Sequence, residues 1–287
     1  MDALVPALLP TGLWVDGACH REAVLRPPSG HDELWAGQPA GPMAAQATAL
    51  LARCLVRLGG ISPVPPEAVA ALPVGDREAA LLRLRAIAFG ERIASTFPCQ
   101  SAGCGKPMDI QVSVPDLLQA PYATNDPTFE VALGKGQGVL LLRCRLPTGG
   151  DQEAVAPLAA QDAGDAAAEL ARRCILAARR GGRDVPVPEL SRARLARLSE
   201  ALRERDAQAE CVLATTCPAC GAAQSIHLDA GAFLLQEMRD GARDLFWEVH
   251  HLALHYHWSE QDILGLDAGR RRLYLKLLGQ AVVGAEA

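Results

Sequence analysis

From Met43 to Leu58 the stretch MAAQATALLARCLVRL places its apolar residues three and four apart, the period of a helix with one buried face. GGISPVPP then ends it, through glycine freedom and prolines that cannot continue a helix. A second helix is expected over VGDREAALLRLRAIAFGERI, with Asp76 as its N-terminal cap, Glu78 near the positive end of the dipole and Gly90 at its C-terminus. Leu81, Leu82, Leu84, Ile87 and Ala88 form its buried face. MDIQVSV reads as a strand, and GVLLLRCRL, from Gly138 to Leu146, as a buried strand. Two further helices are expected: DAAAELARRCILAARR, stopping at Gly181-Gly182, and PELSRARLARLSEALRERD, opened by Pro188. Their arginines alternate with acids, as on a solvated face.

The stretch from 233 to 279 reads as helical, with a break near Trp258. After the break, Ser259 and Asp262 make a capping-box variant, and Asp267 opens the last helix. Residues 1–42 are rich in proline and glycine. They read as an extended arm with a short hairpin around LWVDGACHREAVLRP and little core of its own. Residues 43–287 then form one domain. The pattern as a whole predicts an α+β fold that is predominantly helical, with long C-terminal helices.

Composition narrows the function. A chain of 287 residues can bury a sizeable core, and with aromatics at 4% that core is built from Leu, Val, Ala and Ile. A net charge of −5 argues against a protein whose main task is neutralising phosphates. MDALVPALLPTGLW has no basic start and carries Pro6 and Pro10, unlike a signal peptide. No apolar run reaches the roughly 18 residues of a membrane span. The expectation is synthesis in a reducing cytoplasm, where nine cysteines do not build a disulfide framework.

The cysteines carry the sharper signal. RIASTFPCQSAGCGKPMDIQVSVPDLLQ and CVLATTCPACGAAQSIHLDAGAFLLQ share one grammar. Each has a β-prone run, a cysteine pair with a glycine directly after it, an isoleucine (Ile110, Ile226) and then an apolar cluster (Leu117-Leu118, Phe233-Leu234). The two strand-turn-strand units, at 92–118 and 210–234, read as zinc knuckles. A structural Zn²⁺ takes four ligands in a tetrahedron, and one tight turn supplies two of them. Cys99, Cys104, Cys217 and Cys220 are therefore the candidate ligands of one structural zinc per chain. Its binding would close a long loop and add to folding free energy.

Other readings of the four thiols are an unmetallated buried cluster, a redox pair and a catalytic zinc. A redox pair needs a helix straight after its first cysteine, but Gly221 and a β-like run follow. A catalytic zinc needs an open position and a nearby acid or base, which neither turn supplies.

LFWEVHHLALHYHWSEQDILGL adds four histidines. His251 and His255 lie on one helical face, but Leu252 stands where a zinc protease carries its glutamate. An interface cluster is the favoured reading, and a His-based metalloenzyme the alternative. GKGQG, from Gly134 to Gly138, lacks the rest of a phosphate-binding loop and reads as a hairpin turn. For docking to a partner the candidates are Trp247, His250, Trp258, Ile263, Leu266, Arg270, Arg271 and Tyr274. The arginines at the start of the last helix oppose its dipole; a solvated face is the default for them, and acidic residues of a neighbour are the suspected partners.

In order along the chain, LRPPSGHDELW, LPVGDREAALLRLRAIAFGERI, VLLLRCRLPTGGD and CPACG, followed by WEVHHLALHYHWSEQDILGLDAGRRRLYLKLL, resemble the T-even-phage baseplate protein family. Relatives of that family occur in bacterial contractile injection systems, and small tail-assembly proteins of such clusters are connected with it. The resemblance implies a non-enzymatic baseplate or hub component, or an assembly factor, whose partners are other tail proteins. The family's pattern carries two C-P-x-C turns, from which Cys99-x4-Cys104 departs. A zinc-ribbon protein binding nucleic acid is the competing class.

Overall fold

The computed structural model of the chain describes residues 4–38, 40–123, 126–134 and 139–285. Strands β1 (Val5–Val15) and β2 (Ala18–Leu25) form a hairpin, helices α1 (Gly30–Ala36) and α2 (Met43–Cys54) follow, and β3 (Leu55–Leu58) returns antiparallel to β2. Next come α3 (Pro66–Ala70), α4 (Val74–Phe89), a second hairpin β4 (Arg92–Pro98) and β5 (Pro107–Ser113), and a single turn α5 (Val114–Leu117).

The same order then recurs. Hairpin β6 (Phe129–Leu133) and β7 (Leu140–Cys144) leads into α6 (Gly149–Ala159) and α7 (Ala163–Arg173). Strand β8 (Ile175–Arg180) pairs antiparallel with β7 and is edged by β9 (Arg183–Val185). Helix α8 (Arg192–Arg205), hairpin β10 (Cys211–Thr216) and β11 (Ala223–Leu228), and α9 (Ala230–Asp240) complete the second copy. The duplication thus extends well beyond the cysteine turns. Three C-terminal helices follow: α10 (Ala242–Tyr256), α11 (Glu260–Leu264) and α12 (Ala268–Ala285).

One motif organises both copies, Arg26-Pro-Pro-Ser-Gly-His-Asp32 and Arg145-Leu-Pro-Thr-Gly-Gly-Asp151. In each, the Ser or Thr opens a helix and the Asp closes a capping box back onto it. The Asp32 carboxylate is completely buried. It accepts from Arg26 Nη1 at 2.6 Å, from Ser29 N at 2.9 Å and from Arg53 Nε at 2.7 Å. Asp151 repeats this with Arg145, with Thr148 N at 3.1 Å and with Arg173 Nε at 2.9 Å. Burial raises both carboxyls, but the arginines and the backbone N–H outweigh it and hold them below the usual range.

Each motif also receives a helical segment. Pro73 bridges Thr148, and Val74 N donates to Pro147 O at 2.9 Å. Likewise Asp267 bridges Ser29, and Gly30 N donates to Leu266 O at 3.1 Å. The N-termini of α4 and α12 therefore occupy equivalent seats, each with a buried arginine, Arg77 and Arg271.

Several sequence expectations change. The helix from Met43 stops at Cys54 and that from Ala163 at Arg173, because Leu55–Leu58 and Ile175–Arg180 instead add a strand to their sheets. Helix α8 begins at Arg192 after Ser191, not at Pro188. Leu9 and Leu25 of the first hairpin lie fully buried in the larger core, so residues 1–42 are not an arm with little core. The glycine turn expected at 134–138 falls mostly on residues outside those described; β6 and β7 flank it as a hairpin. The C-terminal break is at His257, whose φ is +57°, and Ser259 caps α11 by accepting from Asp262 N. Further breaks fall at Gly241 and between α11 and α12.

Asp76 does not cap α4, which starts after Pro73. Its carboxylate instead accepts from Thr11 N at 2.7 Å and Gly12 N at 2.6 Å, tying α4 to β1. Glu78 likewise accepts from Ala230 N at 3.0 Å, at the start of α9. Burial pushes both carboxyls up to about 7, from ordinary values of 3.8 and 4.5. A raised carboxyl favours folding fully below its unfolded pKa and progressively less as pH rises through the folded one. Stability from these two groups is therefore expected to fall between about pH 4 and pH 7. Glu78→Gln, which keeps an acceptor for Ala230, should change urea-unfolding stability little at pH 4.5. At pH 8 it should stabilise by about 3 kcal/mol at most. Equal effects at the two pH values would contradict the buried neutral acid.

Candidate metal centre

Hairpins β4–β5 and β10–β11 are each two-stranded, an arrangement marginal in water by itself. Their bases join the larger core through Ile93, Val114 and Leu228. Their tips share a small apolar cluster in which Met108 and Ile226 are buried with the cysteines, and Phe97, Ile110 and Leu213 pack half-buried against it. Alternation along β11 puts Gln224, Ile226 and Leu228 on its buried face.

Each tip turns in the same way. Cys99 N donates to Lys106 O and Cys217 N to Ala222 O, both at 2.9 Å. Directly after the second cysteine of each pair, Gly105 (φ +57°) and Gly221 (φ +73°) take the left-handed backbone that permits the return. The longer Cys99–Cys104 loop adds a Cys104 N to Ser101 O bond at 3.1 Å. The two extra residues lengthen the turn and still deliver its second thiol to the same place as the shorter one.

The four Sγ atoms lie within 4.8 Å of one another. Cys99 faces Cys220 at 3.7 Å and Cys104 faces Cys217 at 3.9 Å. All four are free thiols, far beyond the roughly 2.05 Å of a disulfide. Thiolates about 2.3 Å from a tetrahedral ion stand about 3.8 Å apart, which is the spacing across the two hairpins. The donor set therefore fits a tetrahedral, thiophilic ion. The backbone N–H of Ser101 is the chief influence that lowers the Cys99 thiol to about 7, whereas Cys104, despite the Lys106 N–H, is pushed up to about 11 by burial and the neighbouring thiols.

Cys99 and Cys217 are buried, Cys104 half-buried and Cys220 exposed. No histidine or carboxylate joins the group among the described residues. Four thiolates would fill a tetrahedron and leave no open position, the arrangement of a structural rather than a catalytic site.

Gln224 was not singled out by the sequence, although strand alternation placed it beside Ile226. Its Oε1 accepts from Gln100 N at 2.8 Å and its Nε2 donates to Ser101 Oγ at 3.0 Å. It thus locks the second hairpin to the first turn independently of any ion.

The other candidate residues separate into groups. His251 and His255 stack on α10 with centroids 6.3 Å apart, beside Trp247. Among the described residues no third ligand completes a site with them. Trp247 and His250 are exposed, as is Arg270, whose Nε stands 4.0 Å from Asp267. Trp258, Leu266 and Tyr274 are half-buried, and Trp258 packs edge-on against Tyr274.

Ile263 and Arg271 do not belong on a docking surface. Ile263 is buried beneath α11, and Arg271 is buried between Glu33, at 2.8 Å, and Glu248, at 2.6 Å. Its acidic partners are in the same chain because α12 folds back onto α1.

The family model for T4 bacteriophage base plate protein matches residues 61–235. The chain belongs to this family. The match runs from just before α3 into α9, so Cys99, Cys104, Cys217 and Cys220 of this base plate protein all lie inside it. Comparisons with curated proteins and with solved structures give no significant match. Among the described residues no helix is long and apolar enough to cross a membrane.

Proposed function

We propose that the protein is a non-enzymatic component of a phage or phage-like tail baseplate, held together by one structural Zn²⁺ on Cys99, Cys104, Cys217 and Cys220. The family match carries this reading. The thiol geometry supports zinc, since four converging sulfurs at tetrahedral spacing are the donor set that ion favours. Bound there, it would pin two segments that are 121 residues apart at Cys99 and Cys220.

Docking to other baseplate proteins falls to the C-terminal helices. On α10, Phe246, Trp247 and Leu254 are more than half exposed, with His250 on the same stripe. On α12, Leu273 and Leu277 are also exposed. Large apolar side chains left in water on neighbouring helices mark an interaction surface. Trp247 supplies its aromatic anchor.

Co-expression with the tail genes of the same cluster tests the reading. The protein is expected to co-purify with baseplate partners in a defined stoichiometry. Trp247→Asp with Leu273→Asp should reduce recovery at least about tenfold while the melting temperature stays unchanged. Undiminished complex formation by the folded double variant would count against this surface.

A further inference from the structure

The two copies of the unit treat one groove differently. In the first copy, α2 and α4 receive α9. Ala47 and Leu81 are buried under it, and a Cβ added to Gly231 of α9 would stand 2.8 Å from Ala47 Cβ. Leu234, Leu235 and Met238 of α9 are completely covered. Arg85 clasps Glu237 of α9 through Nε at 2.8 Å and Nη2 at 2.7 Å.

In the second copy, the matching faces of α7 and α8 line an open cleft of about 610 Å³. Helices α2 and α7 both run into an Arg-Cys pair, so Ala167 takes the place of Ala47 and Ala171 that of Leu51. Helices α4 and α8 both precede a cysteine hairpin at the same distance, so Ser199 takes the place of Leu81 and Arg203 that of Arg85. Ala167 is exposed where Ala47 is buried. The Arg203 side chain is 49% exposed, beside Glu200 and Glu210 on the surface, where that of Arg85 is 6% exposed.

We infer that the α7–α8 cleft is a second docking site, and that its occupant is an amphipathic helix of another protein. The occupant has the α9 pattern: large apolar side chains at i, i+1 and i+4 and a carboxylate at i+3, directed at Arg203. Bulkier apolar groups than those of α9 suit it, because Ala171 and Ser199 stand where the first copy has Leu51 and Leu81. Among the described residues the chain places no helix in the cleft. Its counterpart of α9 is α5, one turn long, followed by Pro121. A second copy cannot lend α9, which is sealed in its own core. The cleft is distinct from the α10–α12 surface and does not depend on the metal.

Anisotropy of fluorescein-labelled peptides with the full-length protein tests this. The probes are residues 229–241 and the same peptide with Leu234→Phe and Leu235→Phe. The phenylalanine peptide is expected to bind in the micromolar range and more tightly than the parent. Ala167→Trp, which fills the cleft, and Arg203→Glu should each weaken it about tenfold or more. Changing Glu237→Lys in the peptide should restore binding to the Arg203→Glu protein. Melting curves establish that both variants fold. No binding up to about millimolar peptide, or binding indifferent to both substitutions, overturns the inference. So does a dimer of the protein that Ala167→Trp dissociates, since the occupant would then be a second copy.

Discussion

Cys217→Ser is expected to release zinc and to melt both hairpin tips together. Metal analysis should give one zinc per chain for the parent and none for the variant. The reason for the joint loss is how little besides the cysteines is fully buried at the tips. Cys99, Met108, Cys217 and Ile226 are the buried members of their cluster, and two of these four are ligands. Structural zinc contributes about 10 kcal/mol or more to folding in peptides that have no other core. Here Gln224 and the hairpin bases retain part of the contact, so about 5 kcal/mol is a fair expectation, or about 10 °C in melting temperature. Hydrogen exchange distinguishes this from global unfolding. Amides from Phe97 to Met108 and from Thr215 to Gln224 should lose protection, while those of α2, α4 and α8 keep it. Cys99→Ser tests the longer loop in the same way. Retention of the metal with unchanged protection in that variant would falsify the four-thiolate site.

The cysteine grammar was legible because metal chemistry fixes residue type and spacing, whatever surrounds it. The rest of the duplication was harder to read. Its copies share a backbone plan whose side chains have diverged: Leu51 stands against Ala171 and Leu81 against Ser199. Arg-x-Pro-[Ser/Thr]-Gly-x-Asp is the longest run that survives in letters, because a buried carboxylate that receives two arginines and a helix start is hard to replace. The helix-to-strand changes at Cys54 and Cys174 were missed for a related reason. LVRL and ILAARR continue a helical apolar period, and only the waiting edges of β2 and β7 make them strands. Arg271 was read as a surface cation because sequence shows charge but not the return of α12 onto Glu33.

The same comparison explains how two copies make one body. The α4 N-terminus sits on the Thr148 turn of the second copy, and α9 of the second copy sits on α2 and α4 of the first. Helices α11 and α12 then take the seat at Ser29 that α4 takes at Thr148. Each copy therefore completes the other, and the thiols close the arrangement at the far end. No single contact then carries the join.

The second large effect is expected at the two aspartates that organise these seats. Asp32→Ala removes the carboxylate that Arg26 and Arg53 share and leaves Ser29 N without its acceptor. Removing one partner from a buried ionic network costs about 3–5 kcal/mol. The arginine side chains are 27% and 38% exposed and can turn toward water, so the lower end applies. Asp151→Ala should cost as much through Arg145, Arg173 and Thr148. Because the two carboxylates share no hydrogen-bond partner, the two losses should add within about 0.5 kcal/mol in urea unfolding at pH 7. Asp32→Asn keeps the size and one acceptor and should fall between parent and alanine. The sign in acid follows from the lowered carboxyls: their stabilisation is complete above the unfolded value of 3.8 and lost as pH falls through the folded one. The parent should therefore lose stability below about pH 4 more steeply than Asp32→Asn does, and the two curves should converge. Parallel curves, or a loss under about 1 kcal/mol for Asp32→Ala, would show that the arginines find other partners and that the conserved geometry of the two motifs is not what seats α4 and α12.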